Sequence, residues 1–175
     1  VRQMSLWDST CIVFTTDHGF YHGEHGLIGK VHLDREGTII SRYGLYDTVA
    51  NIPLIIKYPE AKLKRTIKSF CQTPDLTATI LDLAGVTEGL EAIQGRSLLP
   101  LMQKEADSLR ASIVTSYTYL QDADVRAPTT FRTDDWLYIY GGDEWGCELY
   151  NLKGDPNQTE NVIDENLEVA RELHE

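Results

Sequence analysis

Residues 11 to 30 read CIVFTTDHGFYHGEHGLIGK, and the fold turns on how this stretch is read. CIVFTT is a short β-branched apolar run. It predicts a strand buried on both faces, as in parallel sheets. Asp17 and His18 follow at its carboxyl end, which is where open α/β sheets bind ligands. Gly19, Gly23, Gly26 and Gly29 recur every three or four residues. Each would cost about 1 kcal/mol against Ala inside a helix, so together they predict a folded loop.

Outward from this stretch, IPLIIKYP (52 to 59) predicts a second buried strand, with Pro53 at its start and Pro59 closing it. TPDLTATILDLAGV (73 to 86) predicts a helix capped by Thr73, with Pro74 in its first turn and Gly85 as its stop. Leu76, Ile80, Leu83 and Ala84 would form its packing face. Past residues 87 to 110 the texture changes. ASIVTSYTYL, APTTFRTDDWLYIYGG and CELYNL predict a small antiparallel sheet, KGDPNQ a turn, and NLEVARELHE a terminal amphipathic helix. The expected fold class is α/β. The end of a mostly parallel central sheet with packing helices (residues 1–90) precedes a small antiparallel-sheet subdomain with a terminal helix (residues 91–175).

With a net charge of -11 over 175 residues, the chain has no Lys/Arg stripe for nucleic acid or an anionic membrane. No run is apolar and long enough to predict a membrane span. Any anion site must therefore be local, built from a metal or a few placed cations. Cys11, Cys71 and Cys147 form no C-x-x-C pair and read as free, mostly buried thiols. The chain opens on Val1 and runs almost at once into strand-like sequence, which suggests part of a longer protein.

Asp17 and His18 are plausible ligands for a divalent cation, although DHG taken alone reads first as the start of a turn. His22 and His25 could extend the site. His18 and His22 have the i, i+4 spacing of a helical zinc pair, but the glycines argue against a helix, so hydrogen-bonding or substrate-edge roles fit better. His32 and His174 read as ordinary surface residues. Lys30 closes the loop, and its compact ammonium beside a metal suits a sulfate or phosphate group.

VFTTDHGFYHGEHGLIGK resembles the metal-and-lysine segment of the sulfatase family, in the alkaline-phosphatase-like superfamily. The likeness continues in order through LYDTVANIPLIIKYP, TPDLTATILDLAGV, IQGRSLLPLM, FRTDDWLYIY and ELYNLKGDPNQTENV. It implies that Asp17 and His18 ligate one divalent cation, most often calcium in the family, with magnesium, manganese or zinc open because an imidazole is an unusual calcium ligand. It implies that Lys30 is catalytic, holding a sulfate oxygen, with His22 and His25 at the substrate edge. The reaction implied is hydrolysis of a small-molecule or carbohydrate sulfate ester by a formylglycine nucleophile. The family forms that group in C-x-P-x-R or S-x-P-x-R, and neither pattern occurs here. Asn51 also stands where the family often has Arg or His.

The resemblance therefore implies the C-terminal part of a sulfatase, lacking the nucleophile-bearing N-terminal region. Such a part would be inactive in isolation, completed by the missing half of its domain, and prone to self-association through exposed core surface. The alternatives are a phosphonate monoester or phosphodiester hydrolase of the same superfamily, a non-catalytic homologue, and a small His-rich zinc-binding protein.

Overall fold

The structure is a computed structural model. It describes residues 1–29, 31–33, 39–42, 45–59, 64–86, 88–89, 92–116, 128–141 and 146–175, with 31–33 and 39–42 described as backbone only. Two compact units divide the chain. One comprises Val1–Ile12 and Ile56–Ile113, the other Val13–Ile55 and Val114–Glu175.

In the first unit, helix α2 (Thr73–Leu83) is the organising element, and it is held by polar contacts. Its N-cap is Gln72 rather than Thr73, because the carboxylate of Asp75 reaches back to accept the Gln72 N–H at 2.7 Å. Gly85 sits at φ 72 just past the helix and lets the Val86 N–H close on the Leu81 carbonyl at 3.0 Å. The expected apolar face packs only in part, with Leu76 and Leu83 half-buried. Ile80 is 49% exposed, whereas Asp75 and Thr79 are buried. Asp75 accepts the Arg96 N–H at 2.8 Å and a two-pronged ion pair from Arg110, and the Thr79 hydroxyl accepts the Leu98 N–H at 2.9 Å. Hydropathy patterning does not register such a polar seam. Gly95 completes it, since a Cβ there would collide with the Pro74 carbonyl. Helix α3 (Leu99–Gln103) follows directly.

The second unit is built on the predicted small sheet, ordered β10-β9-β8-β7 from Cys147–Asn151, Trp136–Tyr140, Thr129–Thr133 and Ser112–Ser116. β9 pairs antiparallel with β10 and with β8. Alternation along β9 splits the core. Leu137 and Ile139, with Tyr150, face a cluster with Tyr21, Leu45, Tyr46 and Val49. Tyr138 and Leu149 face Ala170 and Leu173 of the terminal helix α4 (Leu167–His174). The glycine-rich loop is thus packed on one face of the C-terminal sheet.

β1 (Ile12–Thr15) and β6 (Leu54–Lys57) form a two-stranded sheet. Burial on both faces is not observed: Phe14 is 60% and Ile55 63% exposed. Among the described residues this sheet is two strands wide, without the flanking strands that would bury such a run. Beyond β1 the chain forms a short hairpin, β2 (Tyr21–His22) against β3 (Ile28–Gly29), and then β4 (Val31–Leu33) pairs with β5 (Ile39–Arg42). The turn α1 (Asp47–Ala50) leads into β6. Among the described residues no helix is long and apolar enough to cross a membrane.

Candidate active site

Asp17 and His18 leave the end of β1 side by side. The Asp17 carboxylate accepts the His18 N–H at 3.0 Å and the Thr16 hydroxyl at 3.3 Å. Its own N–H and that of His18, then the imidazole's charge, hold the carboxyl below the usual carboxylate range. Asp17 is 84% and His18 33% exposed at the side chain, so both remain accessible.

The imidazole has a defined orientation. His18 Nδ1 lies 2.7 Å from the Gly19 carbonyl oxygen. A carbonyl can only accept, so Nδ1 carries a proton, and in the neutral ring the lone pair lies on Nε2. Nε2 faces Asp17 Oδ2 at 3.5 Å. With the ring neutral, these are two acceptors facing one another at a separation that suits a shared cation, and backbone-held Nδ1–H is how metal-binding histidines are commonly oriented. The donor set, one carboxylate and one imidazole, thus fits a divalent metal. Among the described residues, no third His, Cys, Asp or Glu joins them as a metal-binding group.

The other loop residues go elsewhere. There is no helix to bring His18 and His22 together: His22 lies in β2, is exposed, and its N–H donates to Glu24 Oε2 at 2.6 Å. That bond is the main reason the Glu24 carboxyl sits below its ordinary range. His25 adopts φ 54 and stacks on the Tyr46 ring, with centroids 3.8 Å apart and planes within 8°. Burial there pushes its pKa down, against the opposing pull of Glu148, Glu24 and Asp155. Lys30 lies outside the described residues, as does the His32 side chain. His174 is more than surface, since Nδ1 meets the Tyr138 hydroxyl at 3.2 Å.

The loop is clamped by residues that sequence reading did not single out. A Cβ on Gly19 would collide with the Thr48 carbonyl, so only glycine allows this close approach, and the Gly19 N–H donates to the Val49 carbonyl at 2.8 Å. The α1 turn is itself held. Arg132 grips the Asp47 carboxylate through Nε and Nη2, both at 2.9 Å, and Gln158 Oε1 accepts the Asp47 N–H at 2.9 Å. Below them Tyr46 and Tyr150 both donate to Glu148, at 2.6 and 2.8 Å. Burial, then the bonded Glu148, pushes the Tyr46 hydroxyl's pKa far up. A cavity of about 290 Å³ opens between Glu24 and His25, Asp47 and Thr48, and the turn of residues 156 to 159. The thiols are free, but Cys11 is exposed and Cys71 and Cys147 are only half-buried, so the expectation of mostly buried thiols does not hold. Burial raises the Cys71 pKa, which makes it a poor nucleophile.

Comparison with known proteins gives the family of the chain. The family model described as N-sulphoglucosamine sulphohydrolase, C-terminal, matches residues 37–175. An N-acetylglucosamine-6-O-sulfatase of Bacteroides thetaiotaomicron is 36% identical over 164 residues, covering 89% of this chain and 27% of that protein. A protein solved in complex with its substrate D-glucosamine-2-N,6-O-disulfate superposes with TM-score 0.78 at 30% identity, over 99% of this chain and 34% of the other. A phosphonate monoester hydrolase from Silicibacter pomeroyi superposes with TM-score 0.75 at 25% identity, over 99% of this chain and 34% of the other. The chain thus spans about a quarter to a third of the length of these relatives.

Proposed function

The chain belongs to the N-sulphoglucosamine sulphohydrolase C-terminal family, and from that premise we propose that it forms part of a sulfuric ester hydrolase acting on a sulfated carbohydrate. The observation that carries the reading is the pairing of Asp17 and His18 at the end of β1, with Nε2 turned toward the carboxylate across 3.5 Å. In this proposal both are ligands of one divalent cation, calcium first and magnesium, manganese or zinc as alternatives. A cation bound there would polarise a sulfate oxygen and offset the charge that builds up on the ester.

The chain's own residues do the rest of what is assigned to them here. Lys30 would hold a sulfate oxygen with its compact ammonium, in a chain whose net charge of -11 would otherwise repel the anion. His22, exposed on the hairpin, and His25, on the cavity wall, are the proposed substrate-edge residues. Residues 1–175 contain no C-x-P-x-R or S-x-P-x-R segment, so a formylglycine nucleophile would have to come from elsewhere in the protein. A sulfated amino sugar is the substrate class favoured by the two sulfatase-like relatives.

The likeness to a phosphonate monoester hydrolase favours a second reading, hydrolysis of phosphonate or phosphate esters at the same residues. The test is turnover of an aryl sulfate against an aryl phosphodiester by the intact protein, with and without Lys30→Ala. The sulfatase reading predicts a preference for the sulfate and a loss in kcat of about 100-fold or more in the variant, as for removal of one oxyanion donor. Preference for the phosphodiester establishes the second reading. No turnover of either ester sinks both.

A further inference from the structure

We infer that Arg132 and Gln158, on the C-terminal sheet and the turn after it, are positioning residues that set the orientation and tautomer of His18. The path is continuous. The Arg132 guanidinium takes the Asp47 carboxylate with its two-nitrogen fork, and Gln158 accepts the Asp47 N–H. These contacts fix the first residue of the α1 turn from two sides. The turn presents the Val49 carbonyl to the Gly19 N–H and the Thr48 carbonyl against the Gly19 Cα. The same glycine's carbonyl takes the proton of His18 Nδ1 at 2.7 Å and so places the lone pair on Nε2, toward Asp17.

Three features show that this clamp is built for placement. Gln158 is 2% exposed and holds φ 58, a left-handed conformation disfavoured for a glutamine, while its side chain reaches Asp47. The turn bearing it is braced: Asp155 accepts the N–H groups of Thr159 and Glu160 at 2.6 and 2.8 Å. A single hydrogen bond to an exposed turn would contribute little by itself. A bidentate guanidinium contact adds a fixed direction, which lysine cannot reproduce. The α1 turn is four residues long and has too few internal bonds to hold its own orientation. Rotating it would swing the Val49 and Thr48 carbonyls, and with them the Gly19 peptide whose oxygen selects the His18 tautomer.

The functional consequence rests on His18 being a metal ligand, but the positioning itself does not. The experiment therefore reads both, in the intact protein. Long-range proton–nitrogen spectra of its histidine rings at pH 8 report the tautomer, with His18 assigned through His18→Gln and exposed His22 as internal reference. Binding of Mn2+ is followed by electron paramagnetic resonance. Arg132→Lys keeps the charge and removes the fork. Gln158→Asn keeps a residue that tolerates the left-handed backbone and shortens its reach. Either variant that retains the wild-type circular dichroism suffices.

In the wild type His18 carries its proton on Nδ1. In the variants its signals move toward a pattern averaged over both tautomers while those of His22 stay in place, and Mn2+ affinity falls about tenfold, the lower end for outer partners of a metal ligand. An unchanged His18 spectrum in both variants overturns the inference, even if Mn2+ binding weakens. A shifted tautomer in a protein whose wild type binds no Mn2+ upholds the positioning and removes the metal reading instead.

Discussion

Replacing Gly19 by alanine tests whether the Asp17–His18 pair is held by backbone contact. An added Cβ would overlap the Thr48 carbonyl oxygen and approach both the Thr48 carbonyl carbon and the Val49 Cα to 3.0 Å. All three obstacles are backbone, so no side chain can rotate away. The loop or the α1 turn must shift, and the Gly19 N–H bond to the Val49 carbonyl is lost or stretched. Overpacking of this kind costs about 1–3 kcal/mol, and a lost backbone hydrogen bond roughly 0.5–1.5 kcal/mol. Together they give about 2–4 kcal/mol. Gly154→Ala is the control, since a Cβ there meets nothing within 4 Å and its effect should stay within about 0.5 kcal/mol. Urea unfolding followed by tyrosine fluorescence of the second unit reads both. A cost below about 1 kcal/mol for Gly19→Ala, indistinguishable from the control, would refute the clamp.

Three further expectations concern stability, two of them through its dependence on pH. Arg110→Ala strips Asp75 of its ion-pair partner inside the first unit, where Asp75 is 1% exposed, and should cost about 3–5 kcal/mol. Burial alone would raise the Asp75 carboxyl, but Arg110 and the N–H groups of Arg96 and Gln72 outweigh it and hold it low. Its stabilisation is therefore complete above the unfolded value of about 3.9 and is lost as pH falls through the lower folded value. Urea midpoints of Asp75→Asn should lack that acid-dependent loss; the wild-type slope in the variant contradicts it. His25 has the opposite chemistry and the same sign: its folded pKa is lowered, so the unfolded chain takes up the proton first as pH drops below about 6.5, and stability falls there. His25→Asn, which tolerates φ 54, should flatten the thermal midpoint between pH 7 and pH 5, and an unaltered slope would speak against it.

Local chemistry made much of this fold legible. The four loop glycines predict a folded loop, and Gly23, Gly26 and Gly29 all take positive φ. The short β-type runs containing WLYIY and CELYN predict the sheet, and Gly85 the end of α2. Asp17 and His18 stand together because they are neighbours at the end of a recognisable strand. What stayed hidden is long-range. Arg132 lies 85 residues from Asp47 and Gln158 lies 111 residues from it, and no periodicity links such partners. His25 reads as a ligand type, yet its ring is taken up by Tyr46, a contact that depends on tertiary packing. The polar seam of α2 is invisible for a related reason, because hydropathy scores Asp75 and Thr79 as solvent-facing.

The most direct test of the metal site is calorimetric titration of calcium into the metal-stripped intact protein, wild type against Asp17→Asn and His18→Gln. The account predicts stoichiometric binding to the wild type, weakened at least about tenfold in each variant because each removes one ligand. Equal affinity in all three proteins would contradict it and leave the paired Asp17 and His18 as a turn without a metal.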